Sequence, residues 1–248
     1  MTNNQVSTLK KGLLVLDVVK KNRGISLAEV MERLELSKST AFRLLTTLED
    51  LNYIYKIQSG YFFNFKKFSL DEDMKNKWTS LCSVYQVAQN MQMSTYLGKQ
   101  DDTDLVMTQV IHEPFHESCD KEIGNRSRLH LSALGKIILA HLDEQELAPL
   151  MERLSLEPVT KNTFQDCQLF RYHLKAIRAN GYAFDDEERT VGIRCVAVPV
   201  FRNNKVIAAL AVAAPTDQIS RKNIKQIVSK LELGSQAVTK EIEALEKE

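Results

Sequence analysis

The sequence predicts an α+β chain: an N-terminal winged helix-turn-helix over residues 1–68, a linker helix over 69–92 and a C-terminal α/β domain over 93–248. Three observations predict it. Apolar residues recur at helical spacing in three short runs between residues 7 and 51, and an aromatic, β-branched run folded around a turn follows at 53–65. From residue 94 onward, strand-like and helix-like runs mix.

The first helix is expected from Ser7 to about Lys21, with Leu9, Leu13, Leu14, Leu16 and Val19 near helical spacing before Asn22-Arg23-Gly24 breaks the pattern. A second follows Ser26, which reads as an N-cap, and its apolar stripe is Leu27, Val30, Met31 and Leu34. Glu29, three residues after Ser26, completes a capping box. After a tight connection at Glu35-Leu36, a third helix opens at Ser37 and carries Ala41, Leu44, Leu45, Leu48 and Leu51 on one face. Three short helices with a short turn between the second and third form the helix-turn-helix pattern. Tyr53–Ile57 and Tyr61–Phe65 then read as two strands, joined by Gln58-Ser59-Gly60 with a glycine free to take positive φ. Behind a helix-turn-helix such a hairpin is a wing.

Residues 69–92, with Met74, Trp78, Leu81, Val84, Tyr85 and Val87, read as a connecting helix, and fit an internal helix of the second domain equally well. Beyond it, strands are expected at Ser94–Leu97, Leu105–Ile111, Arg194–Phe201 and Val206–Ala213. Helices are expected around Ser132–His141, Asp166–Asn180 and Ile219–Ala244. The apolar runs Cys195–Val198 and Ala208–Val212 suit strands covered on both faces.

At 44% hydrophobic and 26% charged residues the composition is that of an ordinary globular protein. No apolar run approaches the roughly 18 residues of a membrane span, and the polar start Met1–Gln5 lacks the apolar core of a secretory signal, so the cytoplasm is the expected location. The four cysteines, Cys82, Cys119, Cys167 and Cys195, are far apart, which suits isolated thiols better than a disulfide framework or a zinc ribbon. Charge is uneven: residues 1–70 hold 11 Lys/Arg against 6 Asp/Glu, and the remainder 22 against 26. A basic segment joined to a mildly acidic one suggests that the first meets a polyanion.

A helix that reads double-stranded DNA needs a capped start, an apolar face that holds it, and short polar or basic residues on the outside of its first turns. The segment Ser37-Lys38-Ser39-Thr40-Ala41-Phe42-Arg43 meets each requirement. Ser37 caps; Lys38, Ser39, Thr40 and Arg43 are the candidate contacts to phosphates and base edges; and Phe42 suits thymine methyls or sugars. The bland alternative is a solvated face of a small helical bundle, and the wing and the basic bias weigh against it.

Leu36–Leu45 resembles the recognition helix of the IclR family of transcription regulators. His130–Ala140 resembles the opening of that family's central sensing helix, and Gly181–Glu188 with Gly192–Phe201 resembles its two pocket strands. These blocks stand in family order over most of the chain. The resemblance implies a GAF-like domain that binds a small-molecule effector, typically an organic acid or aromatic catabolite, and a homodimer or homotetramer on a pseudo-palindromic operator. A repressor is the expected form, with no cofactor and no metal. Carried over position by position, Ala133 and Leu134 fall where backbone amides face a ligand carboxylate, Asp185 matches a polar contact, and Cys195 matches a thiol lining the cavity. A helix N-terminus also suits an anion on general grounds. Where some members place two serines on the last strand, this chain has Ala211 and Ala213, which predicts an effector less polar or larger than a two-carbon acid.

Other signals carry less. His112-Glu113-Pro114-Phe115-His116 spells H-E-x-x-H, but Pro114 and the strand-like run before it deny the two histidines one helical face, so a surface loop is expected. Gly135-Lys136 is no phosphate loop, since no glycine stands five residues upstream of Gly135 and Ile137 replaces the required Ser/Thr. His130 and His141 read as structural, and Asp185–Glu188 as a solvated turn with one inward carboxylate. The alternative of an enzyme, with a catalytic α/β domain behind a regulatory winged helix, lacks any nucleophile–base constellation. A second alternative, a winged helix that binds protein, predicts no salt-dependent DNA affinity.

Overall fold

The computed structural model describes residues 6–22, 24–64, 78–79, 81–112 and 122–245. They divide into two compact units, one ahead of Leu81 and one from Leu81 onward.

In the first unit α1 (Ser7–Lys21), α2 (Leu27–Leu34) and α3 (Lys38–Asp50) pack around Val15, Val19, Ile25, Val30, Ala41 and Leu45. The capping box is formed: Ser26 Oγ accepts from the Glu29 amide, and the Glu29 carboxylate accepts from the Ser26 amide at 2.8 Å. A left-handed Glu35 (φ 50°) ends α2 and sets up the tight connection. The wing is a three-stranded antiparallel sheet in the order β1 (Ile25–Ser26), β3 (Gly60–Phe63), β2 (Ile54–Ile57). The two-residue β1 ahead of α2 is too short to show a period.

Three expectations are corrected here. The inward stripe of α1 is Val15 and Val19, with Leu16 at its edge, while Leu9 (62% exposed), Leu13 (54%) and Leu14 face outward. Gly12 lies 3.8 Å, in ordinary contact, from the Leu44 side chain as measured from where its Cβ would stand. Leu51 is exposed because it lies just past the end of α3. In the wing turn the left-handed residue is Gln58 (φ 52°), whereas Gly60 is already in β3, paired with Ile57. Gly60 is needed for space: a Cβ there would lie 3.1 Å from the Phe62 ring and 3.3 Å from the Gly24 backbone.

The second unit is a six-stranded sheet, antiparallel throughout, in the order β6 (Arg126–Arg128), β5 (Asp104–Ile111), β4 (Ser94–Asp101), β9 (Lys205–Pro215), β8 (Ile193–Arg202), β7 (Ala183–Asp186). One face carries α5 (Ala133–His141), backed by α7 (Cys167–Asn180), with residues of α6 (Glu144–Arg153) in the same core. The other carries α4 (Cys82–Met91) and α8 (Ile224–Leu245), as the apolar runs of β8 and β9 require. Gly234 lets α8 approach Val87 of α4, where any side chain would collide.

Helix α4 corrects the linker reading. It begins only at Cys82, and Val84, Tyr85 and Val87 are buried within the second unit. Its start is clasped from two sides: Gln109 bonds the Leu81 amide and carbonyl, and the Glu241 carboxylate accepts from the Cys82 and Ser83 amides at 2.8 and 2.9 Å. Met74 lies outside the described residues, as does Phe65. Strand β6 and helix α6 escape the sequence pattern, the first because it is three residues long and the second because Pro149 lies inside it. The last helix starts at Ile224, five residues later than expected, because Asn223 Oδ1 accepts from the Ser220 amide and holds the chain in a turn.

Candidate functional site

Ala41 and Leu45 are buried and fix the orientation of α3. The opposite side of its first turns then shows Ser37, Lys38, Ser39, Phe42 (50% exposed) and Arg43 to solvent. Ser37 caps the helix, its Oγ accepting from the Thr40 amide at 3.3 Å. The Thr40 hydroxyl lies 2.9 Å from the same oxygen, so half-buried Thr40 belongs to the cap as much as to the outer face. The positive end of the helix dipole adds to Lys38 and Arg43. In the wing, Tyr55 stacks on Phe62 and Lys56 lies over the Tyr61 ring at 5.3 Å.

In the second unit the residues matched to an effector site meet between α5 and one face of the sheet. Two rows of directly paired residues cross four strands. Asp185, Cys195, Ala213 and Ser94 form one, and Ala183, Ala197, Ala211 and Tyr96 the other. Residues two apart on a strand share a face, so these rows form a floor of small side chains with Asp185 and Tyr96 at opposite ends. Above it, Ser132 caps α5 by accepting from the Gly135 amide at 3.2 Å, and the Ala133 and Leu134 amides are among those a helix start leaves without an intrahelical acceptor. Gly135 is obligatory, since a Cβ would overlap the Leu129 carbonyl.

Asp185 is 4% exposed, and its Oδ1 accepts from the Glu188 amide at 2.7 Å. Burial lifts its carboxyl above the ordinary aspartate range, with Lys136 opposing. Burial also pushes the Cys195 thiol far up, so this cysteine is a packing group without thiolate character. Tyr96 is held protonated, pushed up to about 12 by burial.

The sequence reading passed over Lys136 and Glu188. Lys136 is fully buried in α5; its Nζ lies 2.5 Å from Glu188 Oε1, donates to the Phe184 carbonyl at 2.8 Å and stands over the Phe164 ring. Glu188 is raised by burial, again against Lys136. The Asp185–Glu188 segment therefore turns two carboxylates inward, Asp185 from the end of β7 and Glu188 from the turn after it, while Asp186 pairs with Arg194 at 2.7 Å and Glu187 accepts from the Gly192 amide. A lone lysine in an otherwise apolar helix was the available signal.

His130 and His141 are structural, bonded to the Glu157 and Ile137 carbonyls and lowered in pKa by burial. His112 directly follows β5; Glu113–His116 lie outside the described residues. Among the described residues, no group of three or more His, Cys, Asp or Glu is placed to hold a metal ion, and no helix is long and apolar enough to cross a membrane.

Residues 8–57 match the IclR helix-turn-helix domain, and residues 79–240 match the bacterial transcriptional regulator IclR C-terminal domain. The chain is 28% identical over 245 residues to the HTH-type transcriptional regulator KdgR of Escherichia coli, covering 95% of this chain and 92% of that one. Its fold is similar to that of the Thermotoga maritima IclR (TM-score 0.60, 24% identity, 95% of this chain and 98% of that chain). It is likewise similar to an IclR homolog from Microbacterium hydrocarbonoxydans complexed with 4-hydroxybenzoate (TM-score 0.61, 18% identity, 96% and 99%). A helix-turn-helix with an outward polar α3 and a second domain of helices on both faces of an antiparallel sheet are the two parts that the two family models match, and the chain belongs to the IclR family of bacterial transcriptional regulators.

Proposed function

We propose that this regulator is a cytoplasmic repressor without enzymatic activity, that it reads a pseudo-palindromic double-stranded operator as a homodimer or homotetramer, and that a small carboxylate changes its operator affinity. The single observation that carries the DNA reading is the outward presentation of Ser37, Lys38, Ser39, Phe42 and Arg43 by a helix whose other side is buried. Lys38 and Arg43 take phosphates or guanine edges, and Ser37, Ser39 and Thr40 add short hydrogen bonds that fix register. The outward leucines of α1, Leu9 and Leu13, supply an apolar face that suits a second copy of the chain.

For the effector, the reading places a carboxylate on the Ala133 and Leu134 amides, over the floor of Asp185, Cys195, Ala211 and Ala213. The Microbacterium homolog of similar fold is complexed with a carboxylate, 4-hydroxybenzoate. Binding there favours one state of the regulator over another, and linkage transmits the difference to the operator.

The test separates the two sites. Arg43→Ala weakens operator binding roughly tenfold and lowers the salt dependence by about one counterion, read by gel shift across salt concentrations. Effector binding by the same variant stays at the wild-type value in calorimetry. A variant with unchanged operator affinity would remove α3 from the DNA interface.

A further inference from the structure

The start of α4 is held by side chains from far along the chain. Leu81, the residue ahead of the helix, is fully buried, and Gln109 of β5 takes both of its backbone groups. Gln109 Oε1 accepts from the Leu81 amide at 2.9 Å, and Nε2 donates to the Leu81 carbonyl at 3.1 Å. The next two amides go to α8. Glu241 Oε1 accepts from the Cys82 amide at 2.8 Å, and Oε2 accepts from the Ser83 amide at 2.9 Å and from the Ser83 hydroxyl at 2.7 Å.

A helix start leaves its first amides without intrahelical acceptors, and a Ser, Thr, Asp or Asn at the N-cap ordinarily supplies one. Ser26, Ser37, Ser132, Asp143 and Asp166 do so for α2, α3, α5, α6 and α7. Leu81 has no side-chain acceptor, and the acceptors at α4 come from 28, 158 and 159 positions away. A local cap ties a helix end to itself, whereas this one ties it to β5 and α8.

The place of the clasp gives it a consequence. Leu81 opens the second unit, so the chain coming from the DNA-reading unit enters here. Adjacent residues on a strand face opposite ways, so β5 meets the core beneath α5 through Val110 and the start of α4 through Gln109. A shift of the sheet under α5 is thereby felt at Leu81.

We propose that the clasp is the coupling joint of the regulator. Gln109 and Glu241 are positioning residues through which the state of the sheet and α5 reaches the segment that leads to the DNA-reading unit. The proposal rests on the linkage between the second unit and the operator put forward above, and adds the residues that carry it. Linkage is reciprocal, so bound DNA alters the second unit in turn, and it does so only while the clasp is whole.

The experiment is amide hydrogen exchange on the full chain, without DNA and at saturation with a duplex that the wild type selects from random-sequence DNA. Wild type and Glu241→Gln are compared, since glutamine keeps the size of the side chain and replaces one accepting oxygen by a donor. In the wild type, DNA is expected to change exchange over residues 129–141 about threefold or more. In Glu241→Gln, DNA affinity stays within about twofold and the response over 129–141 falls to less than about half. A purely structural cap would raise exchange at α4 equally with and without DNA and leave the response at α5 whole, and that result overturns the proposal. Should Glu241→Gln fail to fold, Ser83→Ala removes one bond of the clasp and leaves both amides held; a partial loss of the response is then expected, and a response equal to the wild type's overturns the proposal. No response at α5 in the wild type overturns the linkage reading together with the clasp. A wild type that enriches no sequence overturns the operator reading instead.

Discussion

Lys136 Nζ and Glu188 Oε1 meet 2.5 Å apart with both side chains buried, one in the apolar helix α5 and the other in the turn after β7. The pair fastens that turn, and with it the strand that carries Asp185, to α5. Removing one member of a buried pair strands the other without solvent or partner, at a cost of about 3–5 kcal/mol. Lys136→Met is therefore expected to lower stability by about that amount in urea denaturation, while Lys136→Met with Glu188→Leu recovers most of the loss. Equal losses in the single and double variants would show that the charge pair is not what the fold depends on.

Gly135→Ala tests the close approach of α5 to the short turn Leu129–Leu131. The new methyl overlaps the Leu129 carbonyl, and backbone has no rotamer through which to yield. A loss of about 3 kcal/mol or more is expected, in the range of overpacked cores. Gly181→Ala provides the contrast: no atom lies within 4 Å of its Cβ and only the left-handed φ of 77° opposes it, so about 1 kcal/mol is expected. Thermal melts of the two variants rank them.

His173 stacks on Phe164 with ring centroids 4.7 Å apart, and its pKa falls to about 4, first through burial and then through Lys136. A folded pKa below the unfolded value of about 6.5 means that the unfolded chain binds the proton first. Stability from this group is therefore whole above pH about 6.5 and declines as pH falls toward 4. After allowance for partial exposure the contribution is about 1–2 kcal/mol. His173→Gln should flatten the stability profile between those limits, and a profile as steep as the wild type's would assign the slope to other groups.

Ala211→Ser and Ala213→Ser together add two hydroxyls to the floor of the proposed effector site. The wild type is expected to prefer acids larger than pyruvate, and the double variant to gain at least several-fold affinity for pyruvate itself. Calorimetry showing tight binding of pyruvate or glyoxylate by the wild type, with no larger acid bound, would contradict this.

The DNA-facing half was legible in the residues because its determinants are local. The Ser26–Glu29 capping box, the Ser37 cap, the apolar positions Ala41 and Leu45, and the hairpin of Tyr53–Phe63 each depend on neighbours a few places away, and each stands where periodicity and capping chemistry put it. The first helix was legible in extent but not in facing. Its leucines read as the core, and Val15 and Val19 hold that role, because which face packs on α2 and α3 is set by the tertiary contacts and not by the helical period alone.

The second domain divides differently. Its four long strands and three of its helices announced themselves as apolar runs, whereas the register that aligns Asp185, Cys195, Ala213 and Ser94 in one row joins residues from four strands far apart in sequence. The same holds for Lys136 with Glu188, 52 positions apart, and for the clasp of Glu241 on the start of α4. By itself the sequence determined the longer helices and strands and the outward polar face of α3, because backbone preference and hydrophobic period act over a few residues. Only the tertiary structure decided which charges are buried together and which residues share the sheet face beneath α5, because those depend on strand order and register, which distant parts of the chain set jointly.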